Sequence, residues 1–154
     1  MTTSAQPTPT RFPTLFSPAR IGSLEVKNRI VMAPMSNGAT EQGFVSDRQV
    51  DYFIARAKGG VGLIICQSGG SMKEYAAPGR MWIYDDQFLP GLTRLASAIK
   101  SAGARVGSQV AHWGMFASGQ KSQIPDLDVV AASDVPFPPT GERPRAATQA
   151  DIDR

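Results

Sequence analysis

The chain has 154 residues, of which 42% are hydrophobic, with 16 Lys and Arg against 13 Asp and Glu. That apolar fraction at a net charge of +3 excludes a disordered chain and suffices for one domain. The basic residues are scattered with no run of five, which argues against a nucleic-acid footprint, and a single cysteine excludes an internal disulfide or a multi-cysteine metal site.

Met1 to Thr14 is polar and proline-bearing and reads as a disordered lead-in, with no signal peptide. No stretch approaches ~20 apolar residues, so no membrane span is expected. Ile21–Val26 reads as a small hairpin with Gly22-Ser23 at its turn. Arg29–Ala33 is a short apolar run ended by Pro34, the pattern of a strand buried on both faces. Ser46 and Gln49 have the spacing of a capping box, and Val50, Phe53, Ile54 and Ala57 follow at helical spacing up to Gly59-Gly60. Val61–Cys66 is the second buried strand. Phe88, Leu92, Leu95, Ala96 and Ile99 mark a second amphipathic helix stopped by Gly103, and Ala104–Val110 is the third strand. Residues 111–147 read as one long loop rich in proline and glycine, and Thr148 to Asp151 as the start of a helix. Strands alternating with helices predict βαβ units and a parallel sheet. A closed (β/α)8 barrel needs ~250 residues, so the chain would supply fewer than half of its strands and leave two sheet edges open.

In such folds the chemistry sits at the carboxyl ends of the strands. Three segments fall there: 33–36, 67–70 and 109–114. They place Ser36, Ser68 and Gln109 just after apolar runs. A glutamine donates and accepts side by side, which suits the imide edge of a heterocycle, and nearby glycines let a ring approach the backbone. The set suggests a neutral, planar heteroaromatic ligand rather than a metal or a free phosphate. Taken singly, each of the three also reads as ordinary loop capping. His112, the single histidine, reads first as structural, with a functional role as the alternative. Cys66 reads as a buried, inert thiol. Gly59-Gly60-Val61-Gly62 precedes a strand rather than following one and fails as a phosphate loop.

Together these segments do more. Leu15–Pro18, Ile21–Met35, Arg56–Ile65, Gly103–Gly114 and Ala132–Pro136 resemble, in that order, the amino-terminal signatures of the old yellow enzyme family, the NADH:flavin oxidoreductases, in its 2,4-dienoyl-CoA reductase-like and ene-reductase-like branch. The resemblance covers about residues 15–154. It implies the amino-terminal portion of an FMN-binding (β/α)8 TIM barrel: the hairpin and about three βα units of a truncated domain. FMN would be the cofactor and NADH or NADPH the electron donor. The reaction would be hydride transfer from flavin N5 to an activated alkene, an enone or an enoyl ester or thioester. By position, Ala33, Pro34 and Met35 would line the ring with backbone groups, Ser36 would sit by its N5/O4 edge, Ser68 beside the ring and Gln109 at the pyrimidine edge. His112 would lie on the substrate side. Met115 departs from the arginine that many relatives carry there. The carbonyl-binding pair and proton-donating tyrosine of the family follow the fourth strand, so no catalytic acid and no metal ligand is expected in this chain, which is expected to be inactive alone. The resemblance further implies a cytoplasmic enzyme with a small-molecule substrate, homo-oligomeric at full length, without nucleic-acid or membrane partners. The alternative is a non-catalytic barrel fragment that associates with a complementary half or with itself.

Overall fold

The computed structural model describes residues 11–73, 76, 78–120 and 126–153, with the backbone alone for 68–70 and 118–120. Residues 1–10 of the expected lead-in lie outside the described residues. Pro13 and Thr14 belong to a one-turn helix, α1 (Pro13–Phe16), with the proline at its first position, where a missing N–H costs nothing. The expected hairpin follows as β1 (Ala19–Ile21) and β2 (Leu24–Val26), antiparallel, with Ile21 opposite Leu24. Gly22 takes the positive φ, +58°, that this tight turn requires.

Three parallel strands form the central sheet in the order β3 (Val31–Met32), β4 (Leu63–Gly70), β5 (Arg105–Ala111). Two helices connect them, α2 (Asp47–Lys58) and α3 (Leu89–Ser101). Asn28 ties the start of this sheet together. It is buried, its Nδ2 donates to the Gly60 carbonyl at 2.7 Å, and its Oδ1 accepts from Ile30 N–H at 3.1 Å. Its Oδ1 lies 2.5 Å from where a Cβ on Gly62 would stand, so the entry to β4 passes too close for any side chain.

The helices pack on one face of the sheet. Val50, Phe53 and Ala57 of α2 and Leu95 and Ile99 of α3 meet Ile64 and Cys66 of β4 in one buried cluster, with Val106 of β5 and Met32 of β3 at its margin. Each large apolar side chain buried there contributes about 1.5–3 kcal/mol. The helical spacing read from the sequence is therefore the face that builds the core.

Two expectations are corrected. The capping box at α2 forms by half. The Ser46 hydroxyl accepts from Gln49 N–H at 3.2 Å and donates to the Ala39 carbonyl, but Gln49 is itself buried, and its Oε1 has no partner instead of reaching back to Ser46. Segment 111–147 is not structureless. It holds a 3-10 stretch (Gly114–Gln120) and a parallel pair, β6 (Val130–Ala131) with β7 (Arg145–Ala146). Ala117, Leu127 and Val129 form a second small core there, against Met72 and Trp113. Strands of two residues carry no readable alternation, and their pairing spans residues distant in sequence, so no local signal announces them. The helix start at Thr148 is as expected. α4 (Gln149–Ile152) carries a complete capping box between Thr148 and Asp151.

Candidate functional site

The register of the sheet decides which residues share its carboxyl end. Met32 pairs with Ile64, and Ile64 with Val106, so these three stand level. Ser36, Ser68 and Gln109 follow them by four, four and three residues along strands about 4.8 Å apart. All three expected positions therefore lie at one end of one sheet. Gln67 pairs directly with Gln109, so the two amides share a face. Ile64 and Cys66 face the helices, hence Ile65, Gln67 and Gln109 face the other way. Ile65 and Gln67 are half-buried there, and Gln109 is exposed. Beyond Gln67 the ladder slips. Gly70 pairs with Ala111, so β4 spends one more residue than β5 over the same span. This bulge falls at Ser68 and Gly69, where the strand end bends beside the candidate site. The Ser68 side chain lies outside the described residues.

After β3 the chain leaves the ladder through Ala33, Pro34 and Met35. Ala33 and Met35 are exposed and Pro34 is half-buried. The Ser36 hydroxyl donates to the Gly79 carbonyl at 3.2 Å, which leaves its oxygen as an acceptor toward the open end. The same loop meets the loop after β4 again, where Trp82 N–H donates to the Gly43 carbonyl at 3.1 Å. Arg80, next to Gly79, lays its guanidinium over the Trp113 ring, 4.0 Å from the centroid. The loops after all three strands are thereby knit into one carboxyl face.

His112 is not gathered with the other candidates. Its Nδ1 accepts from Gly114 N–H at 3.2 Å, which puts the proton of the neutral ring on Nε2. The ring lines a cavity of about 370 Å³ with Met72, Asp128, Ala131, Arg145 and Ile152, beyond β5. Neither residues 33–36 nor Gln109 line that cavity. Arg145 bridges Asp128 and Asp151 at 2.8 Å each. Those hydrogen bonds push the guanidinium further up and hold the Asp151 carboxyl well below the usual carboxylate range. Cys66 is buried, and burial pushes its thiol from 9.0 up to about 11, so it stays protonated at neutral pH.

Sequence analysis singles out neither Gln67, although it opens segment 67–70, nor Asn37, Arg80 or Trp113. Gln67 carried a usable signal, since it ends its apolar strand as Gln109 ends the next. Arg80 carried none, because its ring partner is 33 positions away in the sequence.

A parallel α/β arc whose carboxyl tips converge on one face is the wall of a (β/α)8 barrel enzyme, and the comparisons agree. The old yellow enzyme homologue of Zymomonas mobilis superposes with a TM-score of 0.78 at 26% identity, over 92% of this chain and 42% of that one. The model of the NADH:flavin oxidoreductase / NADH oxidase family matches residues 14–152, and the chain belongs to that family. An NADH oxidase of Thermoanaerobacter brockii is 42% identical over 149 residues, covering 94% of this chain and 22% of the relative. An NADPH dehydrogenase of a Geobacillus species is 38% identical over 146 residues, 90% of this chain and 40% of the relative. The chain spans between 20% and 40% of the length of such curated relatives. The family is one of oxidoreductases that work with FMN and NADH or NADPH.

Proposed function

We propose that this chain supplies the first three strands of an FMN site in an NAD(P)H-dependent oxidoreductase that reduces activated alkenes, enones and enoyl esters or thioesters. The observation that carries the reading is the shared register: Ser68 and Gln109 lie in the carboxyl halves of β4 and β5, Ser36 follows β3 at the same end of the sheet, and Gln67 and Gln109 share one open face. The residues present fit a flavin edge. Ala33 and Met35 are exposed at the tip of β3 and offer backbone groups, the Ser36 oxygen is an acceptor, and the exposed Gln109 amide both donates and accepts. FMN, when bound, supplies the hydride chemistry. Gln109 binds the pyrimidine edge, Ser36 accepts a hydrogen bond beside the reacting edge, and residues 33–35 orient the ring plane. His112 lies at the margin, on the substrate side. A cytoplasmic setting and a homo-oligomer belong to the same proposal, the first being compatible with a sequence whose single cysteine can form no internal disulfide. Among the described residues no helix is long and apolar enough to cross a membrane.

The test is an FMN titration of the full chain followed by flavin fluorescence. Saturable quenching is expected, with affinity falling about tenfold in Gln109→Ala, or about 1.4 kcal/mol. Unchanged fluorescence at any protein concentration, or equal binding by Gln109→Ala, overturns the assignment. With NADH or NADPH and an enone, this chain alone is expected to show no turnover. The carbonyl-binding pair and the proton-donating tyrosine that the resemblance implies follow a fourth strand, and the central sheet described has three. Steady alkene reduction by the chain alone overturns that part.

A second reading has its own observation. Among the described residues β3 and β5 each pair on one side only, and Val110 on β5 is 64% exposed. Open parallel edges seek partners. Sedimentation equilibrium distinguishes the readings: self-association abolished by Val110→Lys supports an associating module, and a monomer at all concentrations removes it.

A further inference from the structure

Among the described residues five buried side-chain polar atoms lack a hydrogen-bond partner, and four of them belong to the carboxyl-face loops: Asn37 Nδ2, Thr40 Oγ1, Arg80 Nη1 and Trp113 Nε1. The fifth, on Gln49, is in α2. A buried donor left unpaired costs about 1–3 kcal/mol, and a charged one more. Three such donors lie on loops that touch one another.

Neighbouring residues and one stacking contact connect these loops. Ser36, next to Asn37, bonds the Gly79 carbonyl at 3.2 Å, and Gly38 Cα lies 3.5 Å from where a Cβ on Gly79 would stand. Arg80 follows Gly79 and stacks on Trp113 at 4.0 Å. Stacking holds the guanidinium plane and leaves its N–H edge as the part that seeks an acceptor. Arg80 has no carboxylate partner among the described residues. By contrast Arg145 takes two aspartates, and Arg94 pairs with Asp47. Burial pushes the Arg80 guanidinium below its ordinary value.

We propose that Arg80, held over Trp113 and joined by Asn37 across the Ser36–Gly79 contact, is an oxyanion subsite on the carboxyl face that binds a carboxylate or phosphate group of a small ligand. Arg80 supplies the charge and a planar fork of donors. Asn37 supplies a neutral amide donor. Trp113 fixes the fork and offers its indole N–H. The site stands on these contacts alone and persists if the flavin reading fails.

The test uses the full chain, labelled with 15N, first without flavin and again with FMN. It is titrated with sodium acetate, inorganic phosphate and neutral acetamide at constant ionic strength set by sodium chloride. The readout is the indole N–H resonance of Trp113, told apart from that of Trp82 by its loss in Trp113→Phe. A saturable shift is expected with acetate or phosphate and none with acetamide. Affinity is expected to fall at least about tenfold in Arg80→Gln, roughly 1.4 kcal/mol, and less in Arg80→Lys, which keeps the charge and loses the fork. Acetate alone points to a substrate carboxylate, and phosphate alone to a phosphorylated ligand such as a nucleotide. An equal response to acetamide, no saturation with either anion, or unchanged affinity in Arg80→Gln overturns the proposal. Should Arg80→Gln lose its folded spectrum, unchanged affinity in both Arg80→Lys and Asn37→Ala overturns it equally.

Discussion

Gly43 shows how a single residue can be fixed by a neighbour far along the chain. A Cβ there would stand 2.2 Å from a ring carbon of Trp82, and its φ is +83°, in the left-handed region. Neither cause is relieved by a rotamer change, because the clash falls on the indole ring and the dihedral belongs to the backbone. Gly43→Ala is expected to destabilise the protein by about 2–4 kcal/mol. Urea unfolding checks this through a lower midpoint at unchanged slope. Trp82 also stands edge-on to Phe88, ring centroids 5.7 Å apart, so the strain would pass into the start of α3. At the same scale, the sequence singled out Ser36 and Gln109 because an apolar run followed by a polar residue is a local fact; the structure puts Ser36 in the loop after β3 and Gln109 inside β5. It missed Arg80, because what makes Arg80 notable is the ring beneath it and the lack of an acid partner among the described residues. Both are properties of tertiary surroundings.

Among the elements, α2 and α4 begin with hydroxyl caps that do different work. Ser46 serves two masters: it accepts from Gln49 N–H and donates to the Ala39 carbonyl, joining helix and preceding loop. Ser46→Ala is expected to cost about 1–2 kcal/mol, Ser46→Asp less, and Ser46→Thr least. Aspartate keeps the cap but cannot donate to Ala39. Thermal unfolding of the three variants checks the order, and equal loss in Asp and Ala would deny the capping role. In α4 the Asp151 carboxylate accepts from Thr148 N–H at 2.7 Å, from the Thr148 hydroxyl at 2.6 Å and from Arg145. Its folded pKa is depressed, led by the Arg145 hydrogen bond, so its stabilisation is complete above the unfolded carboxylate value of 3.8 and is lost as pH falls through the folded value. The Thr148–Asp151 turn is therefore expected to stay intact at pH 5 and to loosen only well below pH 4. The amide shifts of residues 148–152 across an acid titration check this, and loosening already at pH 5 contradicts it.

For the whole molecule, two cores of unequal size set the dynamics. The main cluster joins both long helices to β4, while the second holds Ala117, Leu127 and Val129 against Met72 and Trp113. Local opening costs least where few apolar contacts hold a segment. Hydrogen exchange is expected to protect the β4 amides of Leu63–Cys66 most and residues 126–147 markedly less, and equal protection would contradict the division. The sequence by itself determined the alternation of strand and helix, the buried stripes of α2 and α3, the hairpin turn at Gly22, the helix start at Thr148 and the family. All of these rest on spacing within one element or on ordered local motifs. Only the tertiary structure decided the bulge at Ser68–Gly69, the β6–β7 pairing, the cavity that His112 lines with Arg145 and the cluster of unpaired donors around Arg80. Each of these depends on which distant segments meet, and no periodicity records that.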